Sequence, residues 1–288
     1  MNKIAVTGSL HYDIMLDAHH RPEKGETVMG TACRYKFGGK GGNQALSAAL
    51  AGSEVKFAGA VGADEQGVFL INKLKGEGVN TDAVAVIESL CSGMSVAITD
   101  AEGDYGAVVV SNANLHIPHT VFDDETFWQD VTLLILQNEI PEAVNLHAAV
   151  EAKKRGIVVC LNAAPARALS PEFQRNIDVL IVNAIEARDM SAVVVEDLAS
   201  AKQAAELLAE TFAQVVVTAG EHGVAYCEKG KESQSIPAKK VKLVSTHGAG
   251  DCFTGVFCST LAGGKTLREA IEEANDAAAF HVSRVLTE

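Results

Sequence analysis

Short apolar runs alternate along the chain with longer stretches of helical period. Ile4, Ala5 and Val6 form an apolar run closed by Gly8, the pattern of a strand buried on both faces. Comparable runs predict strands over 55–61, 131–136, 157–161, 178–182 and 215–219. Between them, Asn43 is placed to cap a helix that runs to Ala51 and stops at Gly52. Asp64 is placed to cap a helix carrying Val68, Phe69, Ile71 and Leu74. Pro141 suits the first turn of a helix over 141–155, which Gly156 ends. Further helices are expected over 197–212, 251–262 and 266–285, with Val241, Leu243 and Val244 as a strand-like approach to the helix at 251. Strands and helices alternating at these lengths imply an α/β fold with a mostly parallel sheet covered on both faces.

Two stretches break the rhythm. Residues 12–37 show no helical period and hold a Pro-Glu-Lys-Gly turn; residues 93–112 read as two strands, 94–99 and 107–111, around an acidic Gly-containing link. Together they are expected to form a small β-layer projecting from the main sheet. No repeat or low-complexity linker interrupts the sequence, so residues 1–288 are read as one domain with a lid at about 12–37 and 93–112.

Charge narrows the ligand class. Asp and Glu number 37 against 24 Lys and Arg, a formal charge of −13, which disfavours DNA or RNA as a partner of the general surface. A small anion can still be held locally by backbone N–H groups. The six cysteines, at 33, 91, 160, 227, 252 and 258, show neither C-x-x-C spacing nor a zinc pattern, and suit a reducing compartment. With no secretory leader at the N-terminus and no apolar run near the roughly 18 residues of a membrane span, the cytoplasm is expected and a membrane partner is not.

The richest segment runs from 245 to 261. Gly248, Ala249 and Gly250 let the backbone approach a ligand closely, and the helix that follows offers unpaired N–H groups at its positive end, a site for phosphate oxygens. Asp251 at that turn is either an ordinary N-cap or a base for a hydroxyl attacking the bound phosphate; read alone, the cap is the commoner case. A second glycine-rich stretch, Gly38-Gly39-Lys40-Gly41-Gly42-Asn43, matches neither a P-loop nor a dinucleotide fingerprint. It reads as a flexible turn, or as a platform for a polyhydroxy ligand with Lys40 and Asn43 as polar contacts.

These two segments, in this order, resemble the ribokinase-like (PfkB-type) carbohydrate kinases. The N-terminal signature is matched by Gly38 to Ala45, the C-terminal one by Thr246-x-Gly248-Ala249-Gly250-Asp251-x-Phe253-x-Gly255. Between them stand Gly8-Ser9 with Asp13, Gln137-x-Glu139-x-Pro141, Asn162-x-Ala164-Pro165-Ala166-Arg167, Asn183-x-x-Glu186 and Thr218-x-Gly220-x-x-Gly223. The resemblance implies a three-layer α/β sandwich with a protruding β-sheet lid, and transfer of the ATP γ-phosphate to the hydroxymethyl group of a ribose-like pentose or ketose. It implies that Asp251 is the base and that the 248–251 N–H groups form the anion hole. His11, Asp13, Gly39, Lys40, Asn43 and Glu139 would hold the sugar; Asn183, Thr218, Gly220, Gly223 and Asn275 would line the nucleotide. Glu186 and Asn183 would hold Mg²⁺ through water, and the lid would pair in a homodimer.

Departures from the pattern matter. His11 replaces the usual Asn, which alters the contact to the sugar hydroxyls. Ser245 replaces an Asp that often helps bind a monovalent cation, and the sequence ends at Glu288 without the tail that commonly completes that site, so K⁺ activation is not expected. A nucleoside kinase for pseudouridine or a purine nucleoside is the alternative of the same fold. A sugar- or nucleotide-binding regulator without catalysis is the reading from another class; Asp251, Asn183 and Glu186 speak against it.

Overall fold

The computed structural model describes residues 2–284; the expected end of the last helix at 285 and the final Glu288 lie outside the described residues. The strands are β1 (Lys3–Thr7), β2 (His11–Ala18), β3 (Gly30–Gly38), β4 (Glu54–Gly62), β5 (Asn80–Ile87), β6 (Met94–Thr99), β7 (Tyr105–Val110), β8 (Val131–Gln137), β9 (Val158–Asn162), β10 (Val179–Asn183), β11 (Gln214–Thr218), β12 (Gly223–Glu228) and β13 (Gln234–Pro237). The helices are α1 (Lys40–Leu50), α2 (Glu65–Gly76), α3 (Glu125–Trp128), α4 (Glu142–Lys154), α5 (Pro171–Arg175), α6 (Ala184–Ser191), α7 (Leu198–Ala209), α8 (Ala249–Ala262) and α9 (Leu267–Ser283).

Nine strands form the central sheet in the order β13-β12-β11-β10-β9-β8-β1-β4-β5. All neighbours from β11 to β5 run parallel, and β12 and β13 close one side antiparallel. Continuous apolar runs follow from burial on both faces. In β8, Leu133 and Ile135 enter the core shared with α1, α2, α8 and α9, whereas Leu134 and Leu136 enter the core shared with α4 and α7. Two apolar layers therefore flank one sheet, and the helices complete a three-layer sandwich.

A second sheet, β3-β2-β6-β7, stands apart as the lid. The β6–β7 hairpin turns through the acidic link, pairing Thr99 with Tyr105, and β2 joins β6 in parallel. Its first hairpin is spliced between β1 and α1. Both ends of that hairpin consequently stand at the carboxyl end of the central strand β1.

Three local expectations fail. Val241, Leu243 and Val244 are exposed and form no strand. Val241 and Leu243 alternate with Lys240 and Lys242 as strand residues do, but among the described residues no strand pairs with this run. Asn43 does not cap α1: the helix starts at Lys40 with Gly39 at the N-cap, and the Asn43 N–H already donates to Gly39 O (2.9 Å). Gly39 makes this early start feasible. Its φ of 90° favours glycine, and a Cβ there would lie 2.7 Å from Ser9 O and 2.8 Å from His11 N. Asp251 does not cap α8 either, because Gly248 (φ 74°) holds that position and no side chain caps the helix.

Candidate active site

The sequence-predicted residues gather off the carboxyl ends of the parallel strands, where ligands bind in sheets of this type. Asp251 lies in the first turn of α8 with 8% of its surface exposed. Its carboxylate turns away from its own helix toward α1. Gln44 Nε2 donates to Oδ1 at 2.9 Å and Asn43 Nδ2 to Oδ2 at 3.3 Å; Gln44 Nε2 also reaches Asn162 Oδ1 at 3.0 Å. Helices α1 and α8 come close enough for this because Gly255 faces the α1 backbone with no side chain between. At the α8 N-terminus, Ala249 N–H is spent on Thr246 O (3.2 Å), while among the described residues the N–H groups of Gly250 and Asp251 have no acceptor. Those two donors, at the positive end of a 14-residue helix, suit an anion.

Glu139, just past β8, is the hub of the neighbouring cluster. Its Oε2 accepts from Ser9 Oγ (2.5 Å) and Lys40 N–H (2.9 Å), and His11 Nδ1 lies 3.9 Å away. His11 is buried, and among the described residues its Nε2 has no partner. Asp13, on the first strand of the lid, accepts from Ser95 Oγ at 2.6 Å, and its carboxylate overlies Gly38, where a Cβ would collide with it. A cavity of about 530 Å³ opens beside this cluster, lined by His11, Lys40 and Glu139 together with Val109, Leu115, Pro141 and Pro165.

The electrostatics tie these groups together. Burial pushes the Asp251 carboxyl above the usual carboxylate range; Lys40 and the bonds from Gln44 and Asn43 pull it back, and Glu139 pushes it further up. Asp13 is raised by burial against the bond from Ser95 and the influence of His11 and His247. Glu186 is raised by burial too, with Asn183 and Lys40 opposing. Lys40 thus acts on carboxylates at both ends of the site, and among the described residues its ammonium carries no direct bond of its own.

At the other end, Asn183 and Thr218 are register partners where β10 and β11 finish. Asn183 Oδ1 accepts the N–H groups of Ile185 and Glu186, and both Glu186 oxygens accept from Asn183, a closed capping box on α6. Thr218 Oγ1 lies 3.4 Å from Val182 O. Gly220 opens the turn after β11, and Gly223 is required by packing, since a Cβ would lie 2.6 Å from Ala238 N. Asn275 Nδ2 donates to Pro237 O (3.0 Å), tying α9 to the end of β13. The five positions line one stretch of the same sheet edge.

Residues 1–288 match the model of the pfkB family carbohydrate kinases. The chain belongs to that family. This pfkB-family chain is 36% identical over 283 residues to a ribokinase of Bacillus subtilis, covering 98% of itself and 93% of that protein. It is 30% identical to a deoxyribokinase of Salmonella typhi, covering 97% and 92% respectively. Its fold superposes on the structure of Arabidopsis thaliana ribokinase complexed with ribose and ATP with a TM-score of 0.91, at 27% identity and 98% and 93% coverage. The chain is an ATP-dependent kinase of a sugar or nucleoside. No helix among its described residues is long and apolar enough to cross a membrane.

Four contacts of the kinase site escaped the sequence. Gln44 was visible within the N-terminal signature, but nothing in the pattern separates a ligand contact from a bond to Asp251. Ser9 was visible beside Gly8, but its tie to Glu139 spans 130 positions. Ser95 and Asn114 carry no motif. Asn114 brackets Leu10 with two buried bonds of 2.9 Å, from Leu10 N–H and to Leu10 O, and so fixes the backbone next to His11.

Proposed function

We propose that this kinase transfers the γ-phosphoryl group of ATP to the hydroxymethyl group of a ribose-like pentose or ketose, with Asp251 as the base. The supporting observation is the orientation of Asp251. Among the described residues, this carboxylate serves no cap, lies buried beside two idle N–H donors of α8 and is held only by Gln44 and Asn43. In the reaction Asp251 takes the hydroxyl proton, the sugar oxygen bonds to the γ-phosphorus, and the bond from that phosphorus to the bridging oxygen of ADP breaks. The N–H groups of Gly250 and Asp251, with Gly248 in the same turn, would stabilise charge on the phosphoryl oxygens. Ala249 would shape the turn, its N–H being engaged. His11, Asp13, Gly39, Lys40, Asn43 and Glu139 would bind the acceptor hydroxyls, and Thr218, Gly220, Gly223 and Asn275 would line the nucleotide.

Mg²⁺ would neutralise phosphate charge when bound. The donor set fits an outer-sphere role: each Glu186 oxygen accepts one bond from Asn183 and keeps a lone pair for a metal-bound water. Glu186 would hold the ion through water, oriented by Asn183. K⁺ is not expected to activate strongly. A lid-to-lid homodimer is the proposed assembly, supported by the exposed Tyr35, Val108, Val109 and Val110 on lid strands and checked by the mass in solution. The six free cysteines, two of them exposed, favour the cytoplasm.

The cavity carries a second reading. Val109, Leu115, Ile140, Pro141 and Pro165 give the cavity an apolar share of its lining that would suit a nucleobase, hence a nucleoside acceptor. One assay separates the readings: ADP release with MgATP over a panel of free sugars and nucleosides. Turnover on sugars supports the first reading, and turnover on nucleosides alone sinks it. Asp251→Asn is expected to lose about 10²- to 10⁴-fold in kcat; undiminished activity would remove Asp251 as the base.

A further inference from the structure

Glu139 gathers two separate segments, 9–11 and the start of α1 at Lys40, yet it stands on a loop and not on a strand. That loop is clamped by the segment after β9. Asn138 N–H donates to Ala164 O (2.9 Å) and Asn138 Nδ2 to Pro165 O (3.0 Å). Arg167 Nη1 donates to Asn138 O (3.3 Å) and Ile140 O (2.8 Å), the carbonyls immediately before and after Glu139. The rest of the guanidinium is idle: among the described residues, the buried Nε and Nη2 atoms have no partner. Burial lowers the pKa of Arg167, with the nearby Glu142 opposing. The Arg167 side chain is half-buried, and a cation held there with two nitrogens unused is costly to the fold. A residue selected for packing alone would be apolar here, and a lysine would lack the planar group that spans both carbonyls.

We propose that Arg167 is a positioning residue for Glu139. By bridging the carbonyls on either side, it fixes the carboxylate that orders Ser9, Lys40 and His11 around the acceptor. This rests on the assignment of Glu139 to the acceptor site. Arg167 also lines the cavity shared with His11, Lys40 and Glu139, so direct contact with the substrate is the rival role.

Two measurements decide it. The first needs no substrate: amide exchange at Lys40, whose N–H donates to Glu139, in the parent and in Arg167→Met. Exchange at Lys40 is expected to accelerate about tenfold, the loss of one charge-assisted bond, while β8 and β11 amides stay protected. Unchanged exchange at Lys40, or uniform acceleration everywhere, overturns the proposal. The second is steady-state kinetics. Arg167→Met should raise the KM for the acceptor about tenfold with kcat and the KM for ATP little changed, and Arg167→Lys should fall between. Combined with Glu139→Gln, Arg167→Met should add almost nothing; losses that multiply would assign Arg167 an independent contact and refute the positioning role. A parent protein inactive on every acceptor would instead sink the functional reading and leave the exchange result to decide.

Discussion

Replacing Gly255 by alanine tests how tightly the site depends on helix packing. At 255, α8 meets α1 with no side chain between them. An added Cβ would stand 2.7 Å from Gln44 O and 2.8 Å from Ala48 N, and closer still to Ser47 Cβ. Non-bonded carbon contacts sit comfortably at about 3.5 Å or more, so the helices must part by roughly 1 Å. Two terms then oppose. Alanine within a helix gains about 1 kcal/mol over glycine. Overpacking costs about 1–3 kcal/mol, and here the obstructing atoms are largely backbone, which cannot swing aside. The upper end of that range applies, leaving a net loss of about 1–2 kcal/mol and a melting temperature lower by a few degrees. Activity should suffer far more. Asp251 rides on α8 while Gln44 and Asn43 ride on α1, so the same displacement stretches bonds now at 2.9 and 3.3 Å. A misplacement of about 1 Å costs on the order of 100-fold in turnover. Thermal unfolding and ADP release on one preparation measure both effects. A Gly255→Ala protein that melts at or above the parent temperature and turns over normally would refute the reasoning.

Three further outcomes are expected. Asp251 must be ionised to act, and burial holds its pKa above 3.8, so kcat/KM should fall toward acid through a midpoint above that value. Lys40→Met removes the cation that favours the charged form and should move this acid limb further up; an unmoved limb would exclude the coupling. Asn114→Ala leaves the N–H and C=O of Leu10 buried without partners, at about 1–3 kcal/mol each, so denaturant unfolding should register a loss of about 2–6 kcal/mol. An unchanged midpoint would mean that water or relaxation replaces both bonds. Glu186→Gln should raise the Mg²⁺ concentration for half-maximal activity with little effect on the acceptor KM, and equal Mg²⁺ curves would count against Glu186.

The sheet and its covering helices were legible because each buried strand is a nearly pure apolar run and each helix carries its own stop. Gly52, Gly78 and Gly156 all take positive φ beyond helix ends, and Asp64 caps α2 as its position suggests, accepting Gly67 N–H at 2.7 Å. The edge was harder to read. Val241 and Leu243 have the alternation of a strand without a neighbour to pair with, and periodicity reports only which residues want burial, not whether a partner is present. At the site, the residue types were readable and their partners were not. The local rule makes an Asp before a helix a cap; only the approach of α1 turns Asp251 to Gln44, more than 200 positions away in sequence. Glu186 and Asn183 follow the local rule: an Asn with Glu three positions on closes a capping box whatever ligand role the pair also has.

The splice of the first lid hairpin has one more consequence. His11 and Asp13 stand at one root of that hairpin and Gly39 and Lys40 at the other, so residues proposed to bind the acceptor form the roots of the lid itself. Acceptor affinity and lid attitude are then two readings of one free energy. Linkage demands reciprocity: a molecule gripping the outer face of the lid must change acceptor affinity by the same factor by which the acceptor changes its own. On that proposal, an antibody or second subunit seated on β3 or β7 would act as an effector while standing clear of Asp251. The lid cannot be exchanged between relatives as a separate module, because its roots would carry the substrate contacts with them.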